Sequence, residues 1–120
     1  MLGQAAAWLD DVRAEHMTRT VTYRRGSDSV ELSATVGQTV FRLTDEQGFE
    51  VRIVTRDYLI AADDLLLAGS QTEPRRGDRI EETDGGVTRV YELLGPGGEP
   101  EWRWSGPNHV TLRVHTKEVG

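Results

Sequence analysis

The stretch that decides the fold is RTVTYRRGSDSVELSATVG, residues 19–37. Its second half alternates Val30, Leu32, Ala34 and Val36 with Glu31, Ser33 and Thr35. That two-residue period gives a strand one apolar and one polar face. A first strand at Thr20–Arg24 and the turn residues Gly26, Ser27 and Asp28 precede it, so the stretch reads as a hairpin with one buried side.

Working outward, the pattern repeats. In TVFRLTDEQGFEVRIVTRDYLI, residues 39–60, Phe41 and Leu43 stand before a turn at Asp45–Gly48, with Phe49, Val51 and Ile53 after it. AADDLLLAG, residues 61–69, breaks the alternation with a leucine cluster and a glycine, the pattern of one short helical turn plugging a sheet end. A strand near Asp78–Glu82, a Gly85-Gly86 turn and a strand over Val87–Leu94 come next. GPGGEPE, residues 95–101, reads as a long, mobile connector to Trp102-Arg103-Trp104, and Val110, Leu112 and Val114 alternate along a final strand. Toward the other end, Ala5, Trp8, Leu9 and Val12 recur at helical spacing, predicting an amphipathic helix over Ala5–His16. So short a helix is marginal alone, and its apolar side needs a partner surface. The expected fold is mainly β: one domain over 1–120, an N-terminal α-helix within 1–17, one short helical turn, and a small antiparallel β-barrel or sandwich of about six to seven strands over 18–118.

Composition narrows the chemistry. The 120 residues carry 14 basic and 20 acidic side chains, and a net charge of -6 argues against wrapping nucleic acid over a large surface. The absence of cysteine excludes disulfide scaffolds, thiol nucleophiles and cysteine-metal sites. No window approaches the ~20 apolar residues of a membrane span, so no membrane partner is expected and a reducing cytoplasm is the default compartment.

Candidate sites are few. Arg76-Gly77-Asp78 matches an adhesion tripeptide, but after Pro74 the Gly-Asp pair is explained as the turn that starts a strand. Asp10, Asp11, Glu15 and His16 could offer metal ligands, although such a run is also the solvated face of any amphipathic helix. Only His16, His109 and His115 could serve as histidine acid or base, and His115 alternates away from the Val110, Leu112, Val114 face, toward a surface or interface. No serine lies in a Gly-x-Ser-x-Gly elbow, and the glycines at 95, 97 and 98 lack the Lys-Ser or Lys-Thr of a phosphate loop. Catalytic residues, cofactors and metals are therefore expected to be none. The protein-interface candidates are Trp8, Leu9 and Val12 on the predicted helix, Arg24, Arg25, Arg75 and Arg76 in two loops that could lie close together, and Trp102 and Trp104, which project from one side of a strand. The tryptophan pair is also compatible with capping the core.

Arranged this way, EPRRGDRIEE (73–82), the Gly85-Gly86 turn and RVYELL (89–94) resemble a segment of small tailed-phage head-tail joining and tail attachment proteins, through Pro74, Gly77, Asp78, Ile80, Gly86, Tyr91 and Leu93. VTYRRGSDSVELSAT (21–35), RDYLIAADDL (56–65) and LRVHTKEV (112–119) are similar to prophage structural proteins, so the likeness spans about residues 18–118. The resemblance implies a non-enzymatic prophage structural protein, a small β-barrel or sandwich that forms a homo-oligomeric ring at the capsid portal vertex. It implies contacts with portal or neck and tail proteins, assembly in the host cytoplasm, a place at the virion head-tail junction, and nucleic acid only as DNA passing through a channel; the free chain is left open as a monomer. Two other classes remain: a small β-barrel module binding a carbohydrate or other small molecule through Trp102, Trp104 and Tyr91, and a hydrolase without a recognisable motif.

Overall fold

The computed structural model describes residues 12–119, which form nine strands: β1 (Val12–Arg25), β2 (Asp28–Thr44), β3 (Glu50–Ala61), β4 (Leu66–Leu67), β5 (Ser70–Gln71), β6 (Arg79–Asp84), β7 (Val87–Leu93), β8 (Trp102–Trp104) and β9 (Thr111–Val119). Antiparallel pairing runs β3-β2-β1-β6-β7-β9, and β9 returns to pair with β3, closing a six-stranded barrel. β8 is an extra strand beside the first half of β9, while β7 pairs with the second half. Closure gives each of the six wall strands a neighbour on both sides.

The two-residue period places the core. Val36, Tyr58 and Val114 face one another across β2, β3 and β9, as do Ile80, Tyr23 and Tyr91 across β6, β1 and β7. All are buried in one cluster with Val21, Leu32, Ala34, Ile60, Leu93 and Leu112. The leucine-rich plug is real: a 3-10 turn at Ala62–Asp64 leads into the two-residue hairpin β4–β5, and Ala62, Leu65 and Leu67 enter the same core.

Two sequence expectations are corrected. Among the described residues there is no α-helix, only two 3-10 turns, and Val12–His16 begins β1 instead of ending a helix; residues 5–11 lie outside the described residues. Val12 and Arg13 pair with Gln38 and Gly37, so a ready sheet edge outcompetes a helical segment too short to be stable by itself. The 95–101 connector, expected to be mobile, is pinned. Leu94 donates its backbone N–H to His115 O, His115 donates to Glu101 O, and Glu99 donates to Pro96 O across a second 3-10 turn. Gly95 is needed there for close packing: a Cβ at this position would stand 1.6 Å from Glu99 O.

Candidate functional site

The hairpin β2–β3 is longer than the barrel wall it serves. Thr39–Thr44 of β2 pairs only with Glu50–Thr55 of β3 among the described strands, because β1 reaches β2 only as far as Gln38 and β9 reaches β3 only as far as Arg56. The remainder is a two-stranded arm. Its tip is tied by Asp45, whose Oδ1 accepts the backbone N–H groups of Gln47 and Phe49 at 3.0 and 2.8 Å, with Gly48 at φ 87° completing the turn.

One face of the arm carries Thr39, Phe41, Leu43, Val51, Ile53 and Thr55; the other carries Val40, Arg42, Thr44, Glu50, Arg52 and Val54. The root of the first face is buried, Phe41 standing edge-on to His115 with centroids 5.1 Å apart. Toward the tip of this face Phe49 and Val51 emerge, 68% and 39% exposed, while Val54, on the other face near the root, is 52% exposed. Leu43, Thr44, Asp45, Val51 and Gly97 line a mainly apolar groove of about 260 Å³ where the arm meets the 95–101 connector. Three exposed apolar residues on one projecting element form the largest such concentration among the described residues, and that is the composition of a contact surface.

The arginines sort into structural and surface groups. Arg25 clamps the loop before β6, with Nε and Nη2 at 2.9 and 2.8 Å from the Asp78 carboxylate and further bonds to Thr72 Oγ1 and Glu73 O. Tyr23 donates its hydroxyl to Asp78 Oδ2 at 2.5 Å, and the backbone N–H of Arg75 donates to the same oxygen. Asp78 is therefore buried and fully occupied, so the Arg-Gly-Asp tripeptide does not present an acidic ligand. Arg24 pairs with Glu81 and faces Arg79 across β1 and β6; Arg75 is exposed, and Arg76, also exposed, pairs with Glu101. The two loops are thus brought together as the sequence anticipated, but Arg25 is committed internally. Trp102 and Trp104 are half-buried against the core, edge-to-face at 5.3 Å, and Trp104 stacks on His109 at 4.8 Å. Trp8 and Leu9 lie outside the described residues, and Val12 contributes its backbone to β1.

The barrel interior is not a passage. Its apolar side chains give way at one end to an ionic cluster in which Arg56 Nη2 donates to both Glu82 oxygens at 2.8 and 3.0 Å and the Tyr58 hydroxyl donates to Oε1 at 2.7 Å. Arg19 Nε lies 3.1 Å from Glu82 Oε2 without hydrogen-bond alignment, and Arg19 also pairs with Asp84. Burial, then the Glu82 carboxylate, pushes the Tyr58 phenol far above its usual range; burial and Asp78 do the same to Tyr23. A cavity of about 220 Å³ remains, lined by Arg19, Arg56, Glu82, Asp84, Arg89 and Tyr91. Tyr91 thus faces charged groups, and Trp102 and Trp104 line neither of these two cavities.

One constellation was missed in the sequence. The register that aligns Val36, Tyr58 and Val114 aligns Gly37, Asp57 and His115 on the opposite face. Asp57 there accepts from Arg113 Nε at 2.7 Å, Thr55 Oγ1 at 2.7 Å and Thr39 Oγ1, and His115 Nδ1 lies 3.0 Å from Oδ1. Arg113 Nη2 donates to Gln38 O. A carboxylate only accepts, so His115 carries its proton on Nδ1. Burial alone would raise the Asp57 pKa; the hydrogen bond and charge of His115 and the two threonine hydroxyls together draw it below its ordinary value. Asp57, Arg113 and His115 are all buried, so the cluster clamps β2, β3 and β9 and has no face open to a substrate. His115, expected at a surface, is a buried partner. The legible signal was Gly37: a glycine inside a strand marks a close approach, here the Arg113 guanidinium 3.4 Å from where a Cβ would stand. Among the described residues no three His, Asp or Glu side chains converge as metal ligands, and no helix is long and apolar enough to cross a membrane. Glu15 and His16, offered as ligands on a helix face, have their backbone in β1, and Asp10 and Asp11 lie outside the described residues.

A closed β-barrel with a filled lumen and a projecting apolar-tipped arm is a scaffold for contacts. No curated protein and no solved structure matches this chain. The family model described as phage head-tail joining protein matches residues 1–120, so the chain belongs to the phage head-tail joining family, with a structural role in virion assembly.

Proposed function

We propose that the protein is a non-enzymatic joiner that assembles as a ring of copies at the head-tail junction of a phage or prophage particle, bonded to portal or neck proteins on one side and tail proteins on the other. The observation that carries this reading is the β2–β3 arm, where Phe49, Val51 and Val54 stand in solvent on an element that adds nothing to barrel closure. Apolar residues held out on an arm gain by burial when a partner arrives, about 25 cal/mol for each Å² removed from water. The interface candidates Arg24, Arg75, Arg76, Trp102 and Trp104 would form a second, polar and aromatic contact region. Trp8, Leu9 and Val12 would supply further apolar contacts before or at the start of β1, and the buried share of Arg25 makes it a support for its neighbours.

DNA, in this reading, passes through the space enclosed by the ring, since each barrel lumen is filled by its own side chains. Assembly takes place in the host cytoplasm. The test is light scattering of the purified protein over a concentration range, alone and with the portal or neck protein encoded beside it. Growth to a ring-sized mass, alone or with the partner, is expected; a strict monomer that ignores its neighbour refutes the joiner.

A further inference from the structure

Among the described residues the arm has two open edges, and they differ. Thr39–Thr44 presents one ladder without a described partner and Glu50–Thr55 the other, six residues each, running in opposite directions. Unpaired ladders of this length recruit strands. Each of the six wall strands is paired on both sides over part of its length, and β8 keeps one free side of three residues.

We propose that the arm is an edge-to-edge assembly device: residues 50–55 of one copy pair antiparallel with residues 39–44 of the next copy, extending a continuous sheet from subunit to subunit. The proposal rests on the ring reading above and names its contact. The occupant is a second copy because each edge finds on the same arm an edge of equal length and opposite direction, with matching faces. Pairing continues the Phe41, Leu43, Val51, Ile53 face across the junction, so apolar meets apolar. The charges point the same way. Within one arm Arg42 lies directly opposite Arg52, a like-charge pairing that Glu50 relieves only for Arg42, through a 3.4 Å contact. A strand from the next copy, offset by two residues, brings another Glu50 opposite Arg42 and leaves the first Glu50 free to approach Arg52. Because the two edges are unlike, the contact is head-to-tail, and such contacts close into rings where a self-matching edge would stop at a dimer.

The chain has no cysteine, which makes the test clean. Two variants are prepared, Arg42→Cys on the first edge and Glu50→Cys on the second, both at exposed positions that stand directly opposite each other in the proposed register. They are mixed under the conditions that give the assembled species, alone or with the neck protein, and oxidised, with circular dichroism confirming that each variant retains the β-sheet signal. Disulfides joining Arg42→Cys to Glu50→Cys, with neither variant crosslinking to itself, are expected. Full-size assemblies without mixed crosslinks, or with like-to-like ones, overturn the arm pairing and leave the ring reading standing; failure of the wild-type protein to assemble at all overturns both.

Discussion

Replacing Asp57 with asparagine keeps the shape of the side chain and removes its charge. In the folded protein the carboxylate receives two hydroxyls, the Arg113 guanidinium and the His115 ring, two donors to each oxygen. An amide offers one oxygen and turns a donor toward the other pair; a threonine hydroxyl can rotate away, while the Arg113 guanidinium, held also by Gln38 O, cannot. Removing one partner of a buried ion pair costs about 3–5 kcal/mol, and with one acceptor retained the lower end, about 3 kcal/mol, is expected for Asp57→Asn. For a domain of this size that is a large share of a total near 5–15 kcal/mol and lowers the melting temperature by roughly 10 °C or more. Urea unfolding followed by tryptophan fluorescence at neutral pH measures it. The pH dependence supplies a second signature. The folded-state pKa of Asp57 is drawn down from 3.8, so its contribution is complete above that value and is lost as pH falls through the lower, folded-state value. The gap between wild type and Asp57→Asn therefore narrows only in acid below about pH 4. A loss under about 1 kcal/mol at neutral pH, or a gap unchanged by acid, would refute the claim that this carboxylate clamps the three strands.

Other expectations follow from single positions. Asp78→Asn loses charged bonds to Arg25 and costs about 2–3 kcal/mol in urea unfolding, whereas Arg76→Ala, two residues earlier but 71% exposed, changes stability by less than about 0.5 kcal/mol. Gly95→Ala places a methyl group on the Glu99 carbonyl and is expected to lower stability by about 2–3 kcal/mol, although φ −112° suits any residue; thermal denaturation that leaves Gly95→Ala level with wild type would contradict the close packing. Ala68 sits at φ 53° in the β4–β5 turn beside Gly69, and Ala68→Asn should raise stability by about 0.5–1 kcal/mol, read as a higher urea midpoint. Tyr23 and Tyr58 hold their protons in the fold beyond the usual phenol range, so absorbance titration should show them ionising only as the protein unfolds. Their raised folded-state pKa makes stability fall as pH rises above about 10, the unfolded value.

The strands were legible because alternation and turn chemistry are local. Val30 to Val36, the Gly85-Gly86 turn and the final strand through Val114 each announce themselves within a few residues, and the leucine plug was visible as a break in the period. What failed was nonlocal. The helical spacing of Trp8, Leu9 and Val12 says nothing of Gly37 and Gln38, whose open ladder takes Val12 and Arg13 into the sheet. His115 looked like a surface residue because alternation separates two faces without saying whether the outer one is covered; Asp57, 58 residues away, decides that. The arm was half visible. The hairpin and its apolar residues could be read, but that the described part of β1 and the strand β9 do not reach residues 39–44 and 50–55 is a property of strand pairing that no periodicity encodes.

The closing strand has a consequence for how the protein is made. β1, β2 and β3 form a meander from neighbouring residues, β6 and β7 form a hairpin joined to it through β1, but Arg56 meets Thr116 across 60 residues of chain, and β9 closes the cylinder. Translation delivers that strand after all the strands it closes. Until it leaves the ribosome, the wall strands β3 and β7 stay open, Asp57 waits without Arg113 and His115, and the core side of the sheet faces water. Long-range pairing of this kind is slow to form. β9 therefore acts as a completion signal for the barrel: a product truncated before it keeps sticky edges and is expected to be removed or to aggregate, so that only chains carrying β9 go on to assemble.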